Sequence, residues 1–137
     1  MKTPSQTVGP YYAIGLCRRP EHVLDPQGVD LRGRLLDGRG EPIEDGLVEL
    51  WDGAGRRWGR CGTSPDGSFA FRIPRDASHL EVTVHARGLL RHQLTRVYLR
   101  PEAVPPGHEA LVAEHERDGL RFDIRMQGEN ATVFFAH

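Results

Sequence analysis

Residues 30–73 read DLRGRLLDGRGEPIEDGLVELWDGAGRRWGRCGTSPDGSFAFRI, and the punctuation of this stretch decides the fold. Leu31, Gly33 and Leu35 alternate with Arg32 and Arg34, the period of a strand with one wet face. Asp37-Gly38-Arg39-Gly40 supplies residues that tolerate positive φ, and Pro42 pre-sets the next φ. The strand pattern resumes from Gly46 to Asp52. There Leu47, Val48, Leu50 and Trp51 are all apolar, so the pattern leaves the buried face open. Ser64-Pro65-Asp66-Gly67 has Pro second and Gly fourth, as a type I turn prefers. After it, Phe69, Phe71 and Ile73 face one way, and Ser68, Ala70 and Arg72 the other. A meander of three or four such strands cannot bury its apolar face alone, so the rest of the chain must supply a second sheet.

The remainder has the composition for it. His79 to Ala86 places Leu80, Val82, Val84 and Ala86 on one face, and His79, Glu81, Thr83 and His85 on the other. His92 to Arg100 reads as another strand. Proline-rich 101–107 follows, and Leu111, Val112 and His115 sit at helical spacing, which predicts one or two helical turns within His108–Arg117. Leu120 to Gln127 reads as one strand with Phe122, Ile124 and Met126 inward, and Ala131 to Phe135 as the last. Seven or so short strands with regular turns predict an all-β, two-sheet antiparallel sandwich. Leu35, Val48, Leu50, Phe69, Phe71, Val82, Val84, Phe122 and Ile124 are its expected core. The expected division is an N-terminal arm and loop over 1–29 and a single sandwich domain over 30–137. Val8, Tyr11, Tyr12, Ile14 and Leu16 make the arm apolar enough to dock on its own domain or on a neighbour.

At 137 residues the chain can bury roughly two thirds of its unfolded surface without a staple. Its formal net charge of -1, with 27% charged residues interspersed, argues against a nucleic-acid or membrane binder. No apolar run approaches a membrane span. The polar start MKTPSQT carries no secretory signal, so a cytoplasmic setting is expected, with Cys17 and Cys61 as free thiols.

No nucleophilic triad, P-loop or Cys-x-x-Cys stands out. The best local constellation is His79-x-Glu81-x-x-x-His85, three metal-capable side chains on one strand face. Same-face neighbours lie ~7 Å apart, and His79 and His85 are three such steps apart, which is too far to share one ion without a bulge. A solvated or interface face is the alternative. Arg56, Arg57, Arg87 and Arg91 offer an anion site or ordinary surface charge, and Cys61 reads as a small buried strand residue.

Three long motifs carry a resemblance: TPSQTVGPYYAIGL at 3–16, HARGLLRHQLTRVYL at 85–99 and LRFDIRMQGENATVFF at 120–135. They resemble the protocatechuate 3,4-dioxygenase family of intradiol ring-cleaving dioxygenases, its α-type chain in particular. LRGRLLDGRGEPIEDGLVELWDGAG at 31–55 is similar to the core meander of that family, whose fold is a sandwich of this kind. The resemblance implies that active chains hold Fe(III) with two tyrosines and two histidines. Where the first tyrosine is expected, after ELWDGAG, this chain has Arg57 and Trp58. The loop that would carry the second is shortened to Pro74–Ser78. The His-x-His pair is similar to His79-x-Glu81, so one ligand of four remains.

The resemblance therefore implies an α-type subunit with no cofactor of its own, inactive alone, completing the pocket of an iron-bearing β-type partner. Gly9, Pro10 and Arg87 are the substrate-binding positions it implies. A guanidinium suits an aromatic carboxylate because it offers a permanently charged planar fork. Self-association in place of such a partner, or a stand-alone β-sandwich module that binds a ligand or partner without oxygenase activity, is the alternative reading.

Overall fold

A computed structural model describes residues 21–86, 92–126 and 131–135. Among the described residues, nine strands run in chain order: β1 Val29–Leu36, β2 Leu47–Asp52, β3 Arg57–Gly62, β4 Ser68–Ile73, β5 His79–His85, β6 Gln93–Tyr98, β7 Glu114–Glu116, β8 Gly119–Arg121 and β9 Ile124–Arg125. They form two sheets. One has the order β4-β1-β8-β7, with β9 also on β1; the other has the order β3-β2-β5-β6. The predicted two-sheet sandwich is the observed fold, and all nine expected core residues are buried.

The turns behave as their residues dictate. Gly40 and Gly67 take φ of 82° and 81°, where an L side chain would be strained. The Gly67 amide donates to the Ser64 carbonyl at 2.8 Å, closing the four-residue turn. In β2, Val48 and Leu50 point inward and Trp51 outward, which settles the face that the sequence left open. The inward rows of the two sheets, Leu31, Leu35, Phe69, Phe71 and Ile73 against Val48, Leu50, Leu80, Val82, Val84 and Val97, form one core. Cys61 is buried within it.

Three expectations change. The helical turn is a single 3-10 turn at Glu109–Leu111; beyond it His115 stands on β7, not on a helix. The chain leaves the turn because the Ala113 amide donates to the Tyr98 carbonyl at 2.8 Å, which draws it onto the edge of β6. The expected strand over 120–127 is interrupted at Phe122 and Asp123. There the Arg34 amide donates to Asp123 Oδ1 at 2.9 Å, so a side chain takes a backbone acceptor's place. Residues 131–135 form no strand. Phe135 makes one isolated bridge to Leu94, and the Thr95 hydroxyl holds the Val133 carbonyl at 2.6 Å.

The first sheet is also mixed, since β8 and β9 run parallel to β1. Both keep one register: Leu31 pairs with Leu120 and Leu35 with Ile124, an offset of 89 in each case (120 − 31 and 124 − 35). Among the described residues, no helix is long and apolar enough to cross a membrane.

Candidate functional site on the outer face of the second sheet

The outward residues of β3, β2, β5 and β6 form rows across the sheet. One row reads Trp58, Trp51, Glu81, Arg96, and the next reads Arg60, Glu49, Thr83, Leu94. His85 lies beside Leu47, and His79 beside Tyr98. Alternation along each strand puts polar groups here because the opposite set fills the core.

Glu81 and Arg96 dominate the face. Arg96 Nη2 donates to Glu81 Oε1 at 2.8 Å, and Nε donates to Oε1 at 3.1 Å and Oε2 at 3.2 Å. Nη1 donates to the Tyr98 hydroxyl at 3.2 Å. The guanidinium carbon lies 5.6 Å from the Phe135 ring centre and 5.9 Å from that of Tyr98, within cation–π range. Hydrogen bonds to Glu81 and then to Tyr98 push the Arg96 pKa up, so the charge is held more firmly than usual.

The three sequence candidates for metal share this face but do not converge. His79 Nε2 is 3.9 Å from Glu81 Oε1, and its Nδ1 is 3.0 Å from the Ser78 hydroxyl. His85 Nε2 instead meets Glu49 Oε1 at 3.0 Å, and its ring lies 5.5 Å from that of His92. Among the described residues, no group of three or more His, Cys, Asp or Glu is placed to hold a metal ion. The donor set does not fit the iron that active relatives are expected to carry, because the carboxylate is already shared with a guanidinium.

Trp58, one of the two residues that stand where the resemblance leads one to expect the first tyrosine, is exposed beside Trp51. Arg60 lies 5.7 Å over its ring. Arg57 Nη1 donates to Asp25 Oδ2 at 2.9 Å, so its charge serves the loop before β1 and not an anion site. Gly9, Pro10, Arg87 and Arg91 lie outside the described residues. Sequence reasoning missed Arg96 and Tyr98. Once the hairpin pairs His79 with Tyr98, Glu81 stands opposite Arg96 as a cross-strand opposite-charge pair, but alternation within one strand does not give that register.

No family profile matches the chain. It is 35% identical to the protocatechuate 3,4-dioxygenase alpha chain of Burkholderia cepacia, covering 98% of this chain and 96% of that one. The chain belongs to the protocatechuate 3,4-dioxygenase alpha-chain family. A second alpha chain, from Pseudomonas putida, is 30% identical with the same coverage. Two solved structures agree on the fold. The dioxygenase domain of a dioxygenase–carbohydrate-binding protein fusion from Streptomyces sp. SirexAA-E superposes with a TM-score of 0.61 at 21% identity, over 78% of this chain and 87% of that one. Hydroxyquinol 1,2-dioxygenase from Pseudomonas putida DLL-E4 gives 0.56 at 19% identity, over 75% of this chain and 58% of that one.

Within the alpha-chain family this member is short. The match to the Burkholderia chain runs over 190 residues against 137 here, so at least 53 positions (190 − 137) have no counterpart. The link Pro74–Ser78 between β4 and β5 is five residues long. Pro74 and Ala77 are buried there, and the Ser78 carbonyl accepts the Leu99 amide at 2.9 Å.

Proposed function

We propose that this chain is the non-iron-binding alpha-type subunit of an intradiol dioxygenase, completing the aromatic-carboxylate pocket of an iron-bearing beta-type partner. The observation that carries the reading is the Glu81–Arg96 fork. At the strand position where a second histidine is expected, a carboxylate is tied to a permanent cation. Neither 57 nor 58 is a tyrosine, and the phenol that this face does carry, Tyr98, has its hydroxyl engaged by Arg96. The near-full-length similarity to two alpha chains supports the subunit assignment.

In this reading Arg87 supplies positive charge to the substrate carboxylate, and Gly9 and Pro10 shape the pocket wall. The test is reconstitution. The chain alone is expected to be colourless and inactive, and mixing with a beta-type chain restores ring cleavage. Replacing Arg87 by Ala is then expected to raise KM roughly ten- to a hundred-fold. That corresponds to the ~1.5–3 kcal/mol of a hydrogen bond to a charged group. Arg87→Lys recovers only part, because the fork is lost. The partner's iron content stays constant, since Arg87 is no ligand. An Arg87→Ala complex with unchanged KM and a lowered melting temperature would reduce Arg87 to a turn residue.

A further inference from the structure

His79 and Glu81 are two metal-type donors of the outer face close enough to share an ion, and Arg96 is bonded to the carboxylate of that pair. Their Nε2 and Oε1 atoms are 3.9 Å apart. A divalent ion on a carboxylate oxygen sits ~2.0–2.2 Å from it. That approach is blocked at Oε1, which accepts from both Nη2 and Nε of Arg96. Oε2 is engaged by the same Nε at 3.2 Å. The guanidinium is itself fixed on a third side by the Tyr98 hydroxyl and flanked by the Phe135 ring. Unlike a lysine, it cannot yield its proton to make room.

We propose that Arg96 is a resident cation that takes a metal ion's place on this face and keeps divalent ions off His79 and Glu81. The inference rests on the non-iron reading above and goes one step further. The absence of a second histidine is not what closes the face; the guanidinium is. Any ion arriving at Glu81 must displace a three-bond fork and then remain beside a fixed positive charge. A merely structural salt bridge would act on stability alone, and would leave the metal response of the protein indifferent to the charge at position 96.

The experiment uses the full chain, titrated with Zn2+ and Co2+, and reads bound metal after desalting and the shift in melting temperature. Wild type is expected to show neither at His79. Arg96→Met keeps an unbranched apolar stem over the two rings and removes the charge. It is expected to bind Zn2+ at least tenfold more tightly than wild type, and Arg96→Met/His79→Ala to lose that gain. Glu81→His with Arg96 retained gives two imidazoles beside a cation, and is expected to stay as metal-indifferent as wild type.

Folded Arg96→Met without a gain overturns the proposal. Metal bound by Glu81→His with Arg96 in place, and lost on adding His79→Ala, overturns it too. That second arm decides the matter even if Arg96→Met fails to fold. Stoichiometric iron in wild-type protein as purified would instead defeat the subunit reading, so the two failures are distinguishable.

Discussion

His22 shows how one side chain ties stability to pH. Its backbone carbonyl accepts the Arg72 amide at 3.0 Å, and its Nδ1 is buried with no hydrogen-bond partner. Burial lowers its pKa from 6.5, and the nearby Asp30 carboxylate opposes the shift without cancelling it. The folded state therefore prefers the neutral ring. The stability this contributes is fully present above pH 6.5 and is lost as pH falls below 6.5 and through the lowered folded value. Melting temperature is expected to drop between pH 7.5 and pH 5, and the drop to be smaller in His22→Gln, which has no proton to gain. Equal pH slopes in both proteins would remove His22 as the cause. Asp66 is shifted in the same direction for a different reason. Burial favours its neutral form, but bonds from Ser64 and Ser68 outweigh it and hold the carboxyl below its ordinary value.

The element that most constrains the first sheet is β1, because two short strands lie along it in one parallel register. Between them the chain presses inward at Gly33, where an added Cβ would stand 1.8 Å from the Phe122 carbonyl oxygen. Backbone cannot step aside as a flexible side chain can, so Gly33→Ala is expected to cost more than the ~1–3 kcal/mol of ordinary overpacking. Chemical denaturation reads this directly, and a loss under about 1 kcal/mol would mean that the β1–β8 contact is loose. The same place shows where sequence reading stops. Alternation revealed β1, β4 and β5 and their inward faces, because burial imposes a period of two on every strand that covers the core. It ran Leu120 to Gln127 together as one strand, because Phe122 and Ile124 do keep that period. What breaks the ladder is Asp123 taking the Arg34 amide, a tertiary hydrogen bond with no local signature. Likewise Leu111, Val112 and His115 have helical spacing, yet Glu114–Glu116 pairs with β8 and becomes strand. On the candidate face the three β5 residues were legible from alternation. Their partners Arg96 and Glu49 were not, because they depend on register between strands.

At the scale of the molecule, the question is what the second sheet's outer surface faces. Trp51 and Trp58 are 42% and 45% exposed, side by side and beyond the core, where large aromatic side chains are usually covered. Glu21, at the start of the described chain, is anchored to the same β3 edge. Its carbonyl accepts the Arg60 amide at 2.8 Å, and its carboxylate accepts Arg60 Nε at 2.7 Å. Residues 3–16, which carry Val8, Tyr11, Tyr12, Ile14 and Leu16, precede Glu21 in the sequence. Aromatic residues are enriched at the cores of protein interfaces, which suits both the arm and the tryptophan pair to contact with another subunit. Deleting residues 3–16 is therefore expected to reduce assembly with a beta-type chain, read as a smaller mass in light scattering. The melting temperature of the isolated subunit is expected to fall little, because the cluster from Leu24 to Ile124 already joins the two sheets. The two readouts separate the possible roles of the arm. Lost assembly with a preserved melting temperature places the arm between subunits. A large fall in melting temperature would mean instead that it packs on its own sandwich. Unchanged mass and unchanged stability together would sink the arm as an interface and leave Trp51 and Trp58 as the surface to mutate next.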